Sequence, residues 1–247
     1  MISVYSSKNP SWHCRCLKRF QPFSDMKPRW QKQRNRALTI FEVLWVIAGL
    51  IILAMVILPM LAERRRLYAR INCVSNLKQV NLSFRIWEGD NNNKYPMAVS
   101  VTNGGAMEQI AMGDVTDCYR VMSNELSTPK ILICPMDRKH IAATNWTTDF
   151  NNSHISYFLN PDASEAFPQE IMSGDDNLAI DGVPVKSGWL LLPGNAAISW
   201  TAERHGGAGN LSFADGSVAE VSASGLQNAL VLATNGTDIM TNRIAIP

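Results

Sequence analysis

The stretch L-T-I-F-E-V-L-W-V-I-A-G-L-I-I-L-A-M-V-I-L-P-M-L-A, residues 38–62, decides the architecture. Residues 43–62 carry no formal charge over twenty positions, and a helix that crosses a bilayer needs about that many. A cleaved secretory signal has an apolar run of roughly 7 to 15 residues followed by a small-residue cut site. This run continues past that length and therefore stays in the mature protein. Apolar content alone leaves a plain signal anchor as the alternative. Glu42 is what an anchor does not explain, because a carboxylate at mid-bilayer costs about 2.5 to 3.5 kcal/mol and normally has a partner.

Working outward, the charge is split. The chain has 247 residues and a net charge of +2. Residues 1–37 hold nine Lys/Arg against Asp25 alone, net +8, which leaves −6 for residues 38–247. A basic tail can bind nucleic acid, but a tail that abuts a long apolar run usually holds its flank in the cytoplasm, so no nucleic-acid partner is expected. Within twenty residues of the span there are seven Lys/Arg before it and five after it, a small bias toward a cytoplasmic N-terminus. The length leaves room for one membrane segment and one soluble domain.

Beyond the span, Leu67, Ile71, Val74, Leu77, Val80, Phe84 and Trp87 recur every three or four residues, the spacing of one helical face. The helix is expected to run to about Glu88, where Gly89, Asp90-Asn91-Asn92-Asn93 and Pro96 disfavour a further turn. From residue 90 to 247 short apolar runs alternate with turn residues. Ile131-Leu132-Ile133, Ile155-Ser156-Tyr157-Phe158 and Trp189-Leu190-Leu191-Leu192 read as strands. The run N-L-S-F-A-D-G-S-V-A-E-V, residues 210–221, reads as a hairpin with a two-residue turn at Asp215-Gly216. The expected fold is α+β, a long N-terminal helix packed on a C-terminal antiparallel sheet. Its parts are a basic leader (1–37), a membrane helix (38–62), an amphipathic continuation (63–89) and a soluble head (90–247).

Arg36-Ala37-Leu38-Thr39-Ile40-Phe41-Glu42-Val43-Leu44 resembles the cleavage and methylation motif of type IV prepilins and pseudopilins. Members of that family usually have Gly before the cut and often Phe after it; Ala37 and Leu38 stand there in this chain. The resemblance implies that a prepilin peptidase removes residues 1–37 and that Leu38 becomes the methylated mature terminus. The new amino group would lie about one helical turn before Glu42 and could pair with Glu42 of a neighbouring subunit. Pro59 matches a helix-bending proline frequent in the family. A 37-residue leader is long, and Met26 offers an internal start. His13, Cys14 and Cys16 lack a second ligand pair and read as discarded leader.

His205 and Asp215-Gly216, nine residues apart, resemble the H-x9-DG signature of a prepilin-like family. Cys73-Val74-Ser75-Asn76-Leu77-Lys78-Gln79 and Cys134-Pro135 are similar to further landmarks of it. With them the resemblance spans most of the chain and implies a subunit of a type II secretion or type IV pilus-like machine. Its partners would be the peptidase, related subunits and membrane lipid. Its place would be the inner membrane, with the head periplasmic or on a filament surface. The family-like positions pair Cys73 with Cys134, while reduced, buried cysteines stay open as the alternative.

The chemistry-bearing residues point away from catalysis. No G-x-S-x-G, H-E-x-x-H or phosphate loop occurs, so His205 and Asp215 read as structural and no catalytic residue, cofactor or metal site is expected. Asp175-Asp176-Asn177 and Asp90-Asn91-Asn92-Asn93 offer the oxygens calcium favours, without the spacing of an EF-hand. The competing reading is a membrane-tethered enzyme or glycan-binding module, with Trp146, Trp189 or Trp200 stacking on sugars.

Overall fold

The computed structural model describes residues 39–193, 197–235 and 241–247. The cleavage positions Ala37 and Leu38 lie outside the described residues. The chain divides into two units between Ile51 and Ile52.

Helix α1 runs Ile40–Asp90, 51 residues, and passes through Pro59 without ending. Its first turn is closed by Thr39 and Glu42. Thr39 N donates to Glu42 Oε2 at 2.7 Å, and Glu42 N donates to Thr39 Oγ1 at 3.3 Å. This reciprocal pairing, a Thr with a Glu three residues on, satisfies two amide donors that a helix start leaves open. The apolar side chains from Ile40 to Leu61 are exposed, and α1 is long and apolar enough to cross a membrane. The helix stops where Asn92 and Asn93 adopt positive φ and Asn93 N returns to the Glu88 carbonyl at 3.1 Å.

In the second unit, the buried face of α1 is Cys73, Leu77, Val80, Phe84 and Trp87. The apolar stripe read from the sequence starts too early: Leu67 and Ile71 are exposed and Val74 is half-buried. Helical spacing marks a face but not where along it the docking partner begins. After α1 come three short helices, α2 (Met107–Ala111), α3 (Thr116–Val121) and α4 (Ser123–Leu126).

The strands are β1 (Tyr157–Leu159), β2 (Ile171–Asp175), β3 (Leu178–Ile180), β4 (Val183–Pro184), β5 (Gly188–Pro193), β6 (Ile198–Trp200), β7 (Ala208–Phe213), β8 (Val218–Ser222) and β9 (Thr241–Ile246). They form a six-stranded antiparallel sheet in the order β5-β9-β1-β2-β7-β8 and a three-stranded one in the order β4-β3-β6. Helix α5 (Ala223–Asn235) follows β8 directly. The fold is α+β.

Strand β1 shows why two cores exist. Tyr157 and Leu159 enter the core built on α1, with Phe84, Tyr119 and Met172. Phe158, pointing to the opposite face, joins Trp200, Leu211, Leu226, Leu230 and Ile244 in a second core under α5. A sheet buried on both faces reads as a short apolar run rather than as an alternation.

Two local expectations are corrected. Residues 131–133 are not a strand, because Pro129 opens a 3₁₀ turn over Pro129–Leu132 and Thr128 caps it by accepting from Lys130 N. Proline fixes φ near the helical value and is favoured at a first helical position. Between the hydrogen-bonded residues Phe213 and Ser217 the β7–β8 turn has three residues, not two. Phe213 N donates to the Ser217 carbonyl at 2.9 Å, and Gly216 N donates to the Phe213 carbonyl at 3.0 Å. Only Gly216 has positive φ, at 90°, which is a type I turn followed by a left-handed residue.

Candidate functional site

Four segments converge beside α1. Cys73 comes from the helix, Cys134 from the loop after the Pro129 turn, Asp175 from the end of β2 and His205 from the turn before β7. Cys73 and Cys134 form a disulfide with Cα atoms 4.9 Å apart across 61 residues, and Cys118 is free and buried. Closing a loop of that length restricts the unfolded chain by roughly 4 kcal/mol in the chain-entropy picture.

The surroundings of the sulfurs are polar. Cys134 Sγ lies 3.3 Å from His205 Nε2, and Cys73 Sγ lies 3.7 Å from Asp175 Oδ1 and 3.8 Å from the Tyr157 hydroxyl. His205 Nε2 is 3.4 Å from Asp175 Oδ2. Asn210 holds that carboxylate twice, donating to Oδ2 from its backbone N at 2.8 Å and from Nδ2 at 2.9 Å. Burial pushes the Asp175 carboxyl up to about 7 against the pull of Asn210 and Arg204. Burial, with the nearby Arg70 and Arg204 guanidiniums, lowers His205 to about 4, so its imidazole is neutral at neutral pH.

The backbone explains how His205 gets there. His205, Gly206 and Gly207 take positive φ in succession, at 51°, 67° and 83°. The His205 carbonyl accepts from Arg70 Nη2 of α1 at 2.5 Å. Gly209 follows beneath Trp200, where a Cβ would stand 2.5 Å from an indole carbon. The glycines therefore serve the sharp turn and the close packing, while the His205 side chain points into the polar cluster.

A second buried cluster adjoins the first. Arg204 Nη2 pairs with Asp137 Oδ2 at 2.6 Å, and Nη1 approaches Asp176 Oδ1 at 2.5 Å while donating to the Ser156 carbonyl at 3.2 Å. His140 Nδ1 contacts Asp137 Oδ2 at 2.7 Å, and Ser156 Oγ donates to the same oxygen at 2.6 Å. Burial would raise the Asp137 carboxyl, but the His140 hydrogen bond, the Arg204 charge and Ser156 hold it below the usual carboxylate range. Burial outweighs Arg204 and His140 at Asp176 and raises it. Asp137, Arg204 and their neighbours Arg138, Lys139 and Glu203 line a cleft of about 390 Å³.

His205 and Asp215, read together from the sequence, are not brought together. Asp215 sits at the β7–β8 tip, where its Oδ1 accepts from Ser217 N at 2.8 Å and its carbonyl accepts from Arg85 Nη1 at 2.7 Å. Asp175 and Asp176 enter buried polar clusters instead of a surface calcium loop, Asp175 held by Asn210 and Asp176 beside Arg204. Arg204, Asp137, His140 and Asn210 escaped the sequence reading; their only signal was adjacency to His205 and to Cys134-Pro135.

The geometry does not build a nucleophilic relay. A serine or cysteine triad places nucleophile and carboxylate on opposite imidazole nitrogens. Here Cys134 and Asp175 both face Nε2, and Nδ1 has no hydrogen-bond partner among the described residues. The tryptophans are also engaged. Trp200 is buried, Trp146 packs edge-on to Phe150 at 5.0 Å, and Trp189 lies under the Arg243 guanidinium at 5.7 Å. The chain matches no protein-family model, no curated protein and no solved structure.

Proposed function

We propose that this chain is a prepilin-like structural subunit of a type II secretion or type IV pilus-like assembly. In this reading a prepilin peptidase cuts after Ala37, Leu38 is N-methylated, and the inner membrane holds α1 with the head periplasmic or on a filament surface. The carrying observation is α1 itself: one exposed, apolar half-helix with a single carboxylate, Glu42, at its start, continuing without interruption into the helix that docks on the head. A simple tether has a use for Glu42 as a helix cap, but none for the prepilin-like residues that surround it. In a single chain Glu42 caps its own helix through Thr39; in the proposed assembly it would accept the Leu38 amino group of a neighbour. The prepilin-like motifs at both ends of the sequence support the same reading.

The test is the mature N-terminus, read by mass spectrometry on protein from a cell that has a prepilin peptidase. The expected result is a chain that begins with N-methylated Leu38. A chain that still begins at Met1 or Met26 overturns the reading in favour of a tethered enzyme or binding module. Replacing Ala37 by a bulky residue is expected to block the cut, because the protease must accommodate the side chain before the bond.

A further inference from the structure

We propose that Cys73, Cys134, His205 and Asp175 form a structural Zn2+ site in the reduced protein, so that one buried crossing point is closed either by a disulfide or by a metal.

The donor set is the first ground. Two sulfurs, an imidazole nitrogen and a carboxylate oxygen lie within 4.8 Å of one another, all on buried residues. Thiolate and imidazole suit zinc, whereas calcium and magnesium take oxygen ligands. The spacing is the second ground. Tetrahedral zinc with Zn–S about 2.3 Å and Zn–N or Zn–O about 2.0 to 2.1 Å sets its ligands about 3.3 to 3.8 Å apart. Cys134 Sγ–His205 Nε2 and His205 Nε2–Asp175 Oδ2 are 3.3 and 3.4 Å apart, and Cys73 Sγ is 3.7 Å from the other carboxylate oxygen, Oδ1; the two sulfurs, bonded here, must part on reduction for the set to close around an ion.

Charge is the third ground. A disulfide is neutral and needs neither a carboxylate nor an imidazole beside it. Asp175 is fully buried and has no Lys or Arg ion pair among the described residues; His205 is its one ion-pair neighbour. A buried carboxylate with no directly paired cation is costly, and here only the more distant Arg204 charge and Asn210 offset it. The adjoining Asp137-His140-Asp176 cluster, by contrast, already holds Arg204 as its cation. Asn210 fixes Oδ2 of Asp175, as ligating carboxylates are commonly fixed by a hydrogen bond.

Exchange between the two states balances. A phosphine reductant donates two electrons to the S–S bond and becomes the phosphine oxide, with oxygen from water, and the water's two protons pass to the sulfurs. Zn2+ then displaces both thiol protons to solvent as two Zn–S bonds form, and His205 binds through the Nε2 lone pair.

The experiment uses the full chain without a histidine tag, produced in a reducing cytoplasm and purified in detergent, one sample under phosphine and one oxidised. Each is loaded with Zn2+, desalted and assayed for metal. The reduced sample is expected to retain about one Zn2+ per chain and the oxidised sample less than about a tenth of that. Co2+ in place of Zn2+ is expected to give thiolate-to-cobalt charge transfer and the visible bands of a tetrahedral ion. Cys134→Ser and Asp175→Asn are expected to lower retention at least tenfold, and Cys118→Ser to leave it unchanged. If Cys134→Ser fails to fold, the cobalt spectrum of the unaltered chain decides alone. No retained zinc in the reduced chain, cobalt without a thiolate band, or full retention by folded Cys134→Ser overturns the proposal.

Discussion

Arg85 of α1 donates from Nη1 to the carbonyl of Asp215 at 2.7 Å, which clamps the tip of the β7–β8 hairpin onto the second half of that helix. Its Nη2 reaches Glu165 at 2.8 Å, so one side chain ties three segments of the head together.

Gly216, at the same tip, has φ +90°, and a Cβ there would stand 3.2 Å from Arg85 Nη1. Gly216→Val is therefore expected to destabilise the head by about 1 to 3 kcal/mol through backbone strain, with added pressure on the clamp. Denaturant unfolding of the full chain in detergent measures it. An unchanged midpoint would show that the turn relaxes without cost.

Phe84 is fully buried and meets Tyr95 and Tyr119 edge-on, each at 6.0 Å between ring centroids. Phe84→Ala removes that ring from the core built on α1 and is expected to cost about 3 to 5 kcal/mol. Phe84→Leu, which keeps most of the volume, is expected to cost less. Equal losses in the two variants would contradict a packing role.

Asp137 gives a pH signature. Its folded carboxyl lies below the usual value, so its contribution to stability is complete above about pH 4 and is lost as the pH falls through the lowered folded value. Asp137→Asn leaves Arg204 with a missing partner and is expected to lose about 3 kcal/mol at pH 7. The gap between wild type and variant should narrow as the pH drops below 4. A gap independent of pH would assign the loss to shape rather than charge.

Glu42→Ala shortens no apolar span, so the protein is expected to remain in the membrane fraction while its assembly is impaired. Thr39→Ala removes only the hydroxyl of the helix cap and is the control, since a cap is worth about 1 kcal/mol. Normal assembly of Glu42→Ala would sink the pairing of subunits through this carboxylate.

The apolar helix, long enough to cross a membrane, its continuation to the Asn cluster and the strands around 189–192 and 210–221 were legible in the sequence. Each is a local pattern: an uncharged run, a helical spacing, an alternation bounded by turn residues. The capping pair Thr39 and Glu42 was legible too but was passed over, because Glu42 was weighed only as an intramembrane charge. Residues 131–133 misled for the opposite reason, since an apolar run of three does not outweigh the proline that precedes it.

Sequence alone therefore determined the long helix, the α+β class and the presence of a hairpin near Asp215. Only the tertiary structure decided that Leu67 and Ile71 lie outside the docked face, that His205 leaves Asp215 for Asp175 and Cys134, and that Arg204 lies between two buried aspartates. The reason is physical. Periodicity reports which side of an element is apolar, through residues three or four apart, whereas Cys73, Cys134, Asp175 and His205 stand tens of residues apart on four elements. Nothing local marks such a convergence; it exists once the helix and both faces of the sheet have packed.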